Sequence, residues 1–167
     1  MIYKIIKQLK NSKMCLVCGT ENPFGLNGRF YQTATDDIIG IFRAKDVHQG
    51  FPQRIHGGMI ASILDEIIGR TQNIKDPQGW AVTVDLRVRY RKPLPLGVDL
   101  KVLGRMTKDS KRMFEGTAEI YLPDGSIAAE GWAKYFRGTP KELEEDDFKP
   151  EEWIVLIDEP IPEEIEI

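Results

Sequence analysis

The stretch His56-Gly57-Gly58-Met59-Ile60-Ala61-Ser62-Ile63-Leu64-Asp65-Glu66 decides how this chain is read. Two adjacent glycines are poor helix residues, each costing about 1 kcal/mol relative to alanine inside a helix. They fit the start of a helix, where something must approach the backbone closely. At about 100° per residue, Met59, Ile60, Ile63, Leu64, Ile67 and Ile68 fill one broad arc of a helix surface. The pattern predicts a helix over 57–73 with that arc packed on a sheet. Gly58 and Asp65 share a second face. Glu66 falls at the edge of the apolar arc, and Ser62 lies between the two acids. A helix N-terminus beside an acid is suited to acyl transfer. The Gly58 amide can donate to a carbonyl oxygen that becomes negative, and the helix dipole supports that charge. Asp65 can act as general base on water or as nucleophile. His56 can orient the loop or the carbonyl. At 1.5 Å per residue, Gly58 and Asp65 are about 10.5 Å apart along the axis, too far for one reacting carbonyl to touch both. An antiparallel copy of the helix across a two-fold axis would close that gap. We therefore expect an isologous homodimer with a composite site.

Working outward, runs at 26–34 and 38–45 flank Thr35-Asp36-Asp37 and read as a hairpin. Residues 46–56 form a loop carrying Gly50 and Pro52. Four strand-like runs follow the helix, at 80–92, 98–107, 112–122 and 126–137. The first alternates, with Val82, Val84, Leu86, Val88 and Tyr90 on one face and Thr83, Asp85, Arg87, Arg89 and Arg91 on the other. Pro93 and Pro95 end it, and Asp124-Gly125 marks a hairpin between the last two runs. Short links predict an antiparallel meander. A long helix against such a sheet is an α+β layer architecture. Residues 1–14 read as a short amphipathic helix, with Ile2, Ile5, Ile6 and Leu9 on one side.

A length of 167 residues fits one domain that buries a core without staples. No apolar run is long enough to span a membrane, and the N-terminus lacks the features of a signal peptide, so a cytoplasmic protein without a membrane partner is expected. Residues 1–138 hold 21 Lys and Arg against 14 Asp and Glu, whereas residues 139–167 hold 2 against 12. The basic body favours an anionic ligand. It lacks the interleaved aromatics of a nucleic-acid surface. The acidic tail reads as a solvated extension in which Trp153-Ile154-Val155-Leu156-Ile157 is a candidate docking segment. Cys15 and Cys18 are too few for a disulfide framework. A structural zinc site wants four ligands, no second cysteine pair exists, and only His48 and His56 are at hand as histidines. The pair is read as shaping a loop, with no metal.

Three segments together resemble the PaaI-type (phenylacetate-pathway type) hotdog acyl-CoA thioesterases over about residues 15–137. They are Gly50-Phe51-Pro52 through His56-Gly57-Gly58 to Leu64-Asp65-Glu66; Cys15-Leu16-Val17-Cys18-Gly19 with Asn22-Pro23-Phe24-Gly25-Leu26; and Val82 to Tyr90 with Pro93 and Gly97. The resemblance implies a hotdog fold, a curved antiparallel sheet of five to six strands wrapped around one long central helix, in a domain spanning 15–138. It implies hydrolysis of an acyl-CoA thioester without metal or cofactor, by homodimers that often pair into homotetramers. It places the catalytic acid on Asp65, the carbonyl-binding amide on Gly58, the motif histidine on His56 and a water-positioning hydroxyl on Thr83. Gly57, Gln49 and Glu66 are the implied substrate contacts, Gln49 standing where many members carry Asn. Arg87, Arg89, Arg91, Lys108, Lys111 and Arg112 are the cations suited to CoA phosphates. Two other readings are a non-catalytic acyl-CoA-binding sensor or scaffold of the same fold and a hotdog dehydratase. The dehydratase branch resembles a pattern with His 14 positions before the helix acid. The residue 14 positions after His48 is Ser62, which argues against it.

Overall fold

Helix α1 (Gly57–Gly69) forms where the apolar period predicts it, burying Ile60, Ile63, Leu64, Ile67 and Ile68. It runs on into a 3₁₀ turn at Arg70–Ile74. The computed structural model describes residues 1–77, 79–138 and 160–167. Their strands are β1 (Ile2–Gln8), β2 (Arg29–Thr33), β3 (Ile38–Arg43), β4 (Trp80–Tyr90), β5 (Asp99–Asp109), β6 (Met113–Tyr121), β7 (Ile127–Gly138) and β8 (Glu164–Glu166). They make one antiparallel sheet in the order β4-β7-β6-β5-β3-β2-β1-β8. α1 packs on it over a core that includes Phe30, Ile38, Phe42, Leu100, Val102, Phe114 and Ile120. This is the hotdog arrangement, with β1 and β8 added to the expected strands. Among the described residues no helix is long and apolar enough to cross a membrane.

Three expectations are corrected. The N-terminal segment is strand β1, not an amphipathic helix. Its Tyr3 and Ile5 point inward with a period of two, and β-branched isoleucine favours that state once a sheet edge is available. β2 and β8 supply the two edges. Secondly, the acidic tail is not wholly a solvated extension. Ile165 of β8 is buried in a second apolar cluster with Tyr3, Ile5, Tyr31, Ile39 and Leu103. The docking segment Trp153–Ile157 lies outside the described residues. Thirdly, the four strands after α1 are not a simple meander. β5, β6 and β7 are, but β4 pairs with β7 and β5 pairs with β3. The link after β4 holds Pro93, Pro95 and Gly97, which suit a crossing rather than a tight hairpin. It is tied to the loop before α1, where the Ile55 amide donates to the Leu94 carbonyl.

The sheet admits the helix because small residues floor it. Gly104 pairs with Ala118, and Ala118 pairs with Gly131. A Cβ on Gly104 would lie 2.8 Å from Ile67 Cγ1 and 3.1 Å from the Ile67 carbonyl oxygen. A Cβ on Gly116 would lie 2.7 Å from Ile68 Cγ2. Interiors this close-packed do not absorb extra methyl groups without moving side chains or backbone. Gly104→Ala is therefore expected to cost about 1–3 kcal/mol. The loss is read as a lower urea midpoint with an unchanged slope; an unchanged midpoint would show that the helix lifts freely.

Candidate active site

The loop before α1 folds back on itself to deliver the helix start. The Gly50 amide donates to the Arg54 carbonyl, and the His56 amide donates to the His48 carbonyl. His48 is buried and structural. Its Nδ1 accepts from the Lys45 amide at 2.9 Å, and its Nε2 lies 2.7 Å from the Phe24 carbonyl oxygen. That pattern makes Nε2 the protonated nitrogen. Gln49 is exposed and spends its Oε1 on the Gln53 amide of its own loop, at 2.9 Å.

His56 caps the helix, with extended backbone and Nδ1 accepting from the Gly58 amide at 2.9 Å. An imidazole nitrogen thus takes one of the free N–H groups every helix start presents. The Gly58 amide is engaged within the chain. The Gly57 amide has no hydrogen-bond acceptor among the described residues. The Gly57 carbonyl accepts from the Tyr90 hydroxyl at 2.8 Å, and the Gly58 carbonyl accepts from Ser62 Oγ at 2.9 Å.

Asp65 sits two turns further on. Its Oδ1 accepts from Thr83 Oγ1 at 2.9 Å, and the Tyr135 hydroxyl lies 2.9 Å from the same oxygen and 2.7 Å from the Asp65 carbonyl oxygen. Thr83 reaches it because β4 is bulged. The register with β7 passes from Thr83↔Tyr135 to Asp85↔Lys134, and a bulge exchanges the faces of a strand. Ala81 and Thr83 face the helix before the bulge, and Leu86, Val88 and Tyr90 face it afterwards. The uniform alternation expected for this strand is corrected here. Val82 and Val84 do not share the buried face of Leu86; they are 39% and 56% exposed. Asp65 and Thr83, which the resemblance names separately, come together, while Tyr135 was not foreseen. Its signal was on β7, where Ala129, Gly131 and Ala133 alternate inward and Tyr135 continues the series with a polar tip. The ring is stacked on Phe114, with centroids 4.7 Å apart.

Glu66 is not brought to Asp65. Its Oε1 accepts from Arg70 Nε at 2.8 Å, and its Oε2 is 3.6 Å from Cys15 Sγ. Among the described residues, Cys15, Cys18 and Glu66 are the group of metal-capable side chains whose ligand atoms lie within 4.8 Å of one another. Of the candidate phosphate-binding cations, Arg87, Arg91 and Lys108 pair with Asp85, Glu130 and Glu115. Arg89, Lys111 and Arg112 have no ion pair among the described residues.

The sequence model of the thioesterase superfamily matches residues 53–129. The acyl-coenzyme A thioesterase THEM4 of Mus musculus is 26% identical over 113 residues, 67% of this chain and 48% of that protein. The chain thus spans about half the length of that curated relative. Among solved structures, the E. coli PaaI protein from the phenylacetic acid degradation operon superposes with a TM-score of 0.61 at 18% identity, covering 68% of this chain and 81% of that one. The BH2602 protein from Bacillus halodurans, solved with CoA, superposes with a TM-score of 0.55 at 24% identity, covering 60% and 66%. These likenesses show the fold.

Burial, and then the neighbouring Asp65 carboxylate, hold the Tyr135 phenol well above the ordinary tyrosine range. The folded chain keeps a proton that the unfolded chain releases above about pH 10. Stability from this group is therefore complete below that pH and is lost as pH rises beyond it. Tyr135→Phe is expected to flatten the alkaline limb of a plot of unfolding free energy against pH; an unaltered limb would contradict the assignment.

Proposed function

We propose that this hotdog-fold chain, whose residues 53–129 match the thioesterase superfamily model, belongs to that superfamily and hydrolyses an acyl-CoA thioester to free acid and CoA. The observation that carries the reading is the Asp65 carboxylate, oriented by two hydroxyls on one oxygen. Thr83 and Tyr135 both address Oδ1, which leaves Oδ2 to take a proton from water. Water attacks the thioester carbonyl carbon as Asp65 accepts its proton. The carbonyl oxygen becomes an oxyanion at the start of α1, where the Gly57 amide has no acceptor among the described residues and the Gly58 amide is held by His56 Nδ1. The intermediate collapses, the carbon–sulfur bond breaks, and the CoA thiolate leaves with the proton that Asp65 took from water, which restores the carboxylate. Direct attack by Asp65, giving an acyl–carboxylate anhydride that water then opens, is the other course open to the same group.

The reading includes a homodimer. Gly57 and Asp65 of one chain are about 12 Å apart along the helix axis, so each site takes its amide from one subunit and its carboxylate from the other. β4 is the natural seam. It is an edge of the sheet, exposes Val82 and Val84, and touches α1 at both ends of the site through Tyr90 and Thr83. Unpaired strand edges favour pairing with another chain. A dimer of dimers and a cytoplasmic setting belong to the same proposal. The acyl-CoA hydrolysis, as distinct from the assembly and the setting, is supported by the thioesterase named in the mouse relative and by the CoA in the B. halodurans structure.

Asp65→Asn keeps the shape of the side chain and removes its basicity, and is expected to lower hydrolysis by about 10²–10⁴-fold, followed as thiol release across an acyl-CoA panel. Acyl-CoA binding without turnover in the parent chain would favour a non-catalytic sensor instead. Gly57→Pro deletes the amide proton, and a Cβ there would lie 3.5 Å from the Tyr90 hydroxyl, an ordinary contact. Proline is welcome at the first position of a helix, and His56, at φ −61° and ψ 138°, has the extended backbone a residue before proline needs. Co-expressed Asp65→Asn and Gly57→Pro chains would then form heterodimers with one intact composite site. Recovery of activity when the two are mixed supports assembly in trans; two dead variants that stay dead as verified heterodimers would refute it.

A further inference from the structure

We propose that Cys15, Cys18 and Glu66 bind a thiophilic divalent cation, with zinc the first candidate, at a site separate from Asp65. Sequence spacing offers only two ligands; the fold brings in a third from 51 residues further along the chain. The three ligand atoms lie within 4.8 Å of one another, with Cys18 buried and Cys15 and Glu66 partly so. For zinc–sulfur and zinc–oxygen bonds of about 2.3 and 2.1 Å, a tetrahedral edge is about 3.6 Å. Cys15 Sγ and Glu66 Oε2 are 3.6 Å apart. Two sulfurs and one oxygen suit zinc better than magnesium or calcium, and water serves as the fourth ligand.

The surroundings support each ligand. The amides of Val17 and Cys18 donate to Cys15 Sγ at 3.3 and 3.2 Å, as donors to a thiolate should. Arg70 Nε holds Glu66 Oε1 at 2.8 Å and so turns Oε2 toward the sulfurs. Arg70 is itself fixed by the Lys10 carbonyl at 2.8 Å and lies over the Phe30 ring. Partners of this kind orient metal ligands. The loop is rigid. Asn11 Nδ2 donates to the carbonyls of Cys18 and Gly28, at 2.6 and 2.8 Å. Gly19 closes the turn so tightly that a Cβ there would lie 2.3 Å from the Cys15 carbonyl oxygen. The charges also balance. Two thiolates and a carboxylate carry three negative charges, Arg70 supplies one positive charge, and a divalent ion supplies the other two. Buried charges need such compensation. Bound metal would pin the 11–28 segment to α1 one residue from Asp65.

The test uses the full chain, fully reduced, titrated with cobalt(II) as a coloured substitute for zinc. One equivalent is expected to give sulfur-to-cobalt charge-transfer absorption that zinc abolishes, and zinc is expected to raise the melting temperature. Cys18 is too deeply buried to be the first variant, so Cys15→Ser and Glu66→Gln are chosen. Cys15→Ser is expected to lose most of the charge-transfer band, and Glu66→Gln to weaken cobalt binding tenfold or more while still melting cooperatively. Absence of the band at stoichiometric cobalt in the reduced parent would overturn the proposal. So would affinity undiminished in Glu66→Gln.

Discussion

The closeness of α1 to the sheet is the constraint on which everything else rests. Ile67 and Ile68 are fully buried, and they fit only because Gly104, Gly116 and Gly131 put no side chain beneath them. A helix held that low presents its other face sideways, toward the edge strand β4. Asp65 then meets Thr83, and Gly57 meets Tyr90. The glycines on the sheet thus set the reach of the carboxylate on the helix.

β4 adapts to that position through its bulge. A regular strand would bury Thr83 with Asp85 and Arg87 or expose them all together. The shift between Thr83 and Asp85 lets Thr83 point at the helix while Leu86 and Val88 still pack on the core. Both carboxylate donors come from neighbouring strands at one register, since Thr83 and Tyr135 are cross-strand partners. The site is held by regular elements rather than by loops, which suits a carboxylate that must keep a fixed orientation.

The N-terminal segment has a comparable logic. β1 extends the sheet beyond β2, β8 returns to cover β1, and between β1 and β2 the chain passes beneath the end of α1. Arg70 joins these parts through Glu66, the Lys10 carbonyl and the Phe30 ring. Glu66 therefore belongs to this clasp and Asp65 to the β4 edge, although the two are adjacent in sequence. Consecutive helix positions differ by about 100°, enough to send them into different chemistry.

By itself the sequence determined what depends on local period and on short motifs. The α1 arc, the β2–β3 hairpin and the choice of Asp65 over Glu66 as the acid sharing a face with the helix start were all legible, as was the PaaI-type resemblance, whereas the hydrogen bond from Thr83 to Asp65 came only with the β4 bulge. Only the tertiary structure decided what depends on partners distant in sequence. The Ile-rich N-terminus carries both a helical and a strand pattern, and β2 and β8 chose the strand. β4 found β7 because the proline-bearing link crosses over to β5. Tyr135 became a neighbour of Asp65, and Glu66 a neighbour of Cys15, through separations of 70 and 51 residues. Periodicity records which way a side chain points along its own element; it carries no record of which element will lie opposite.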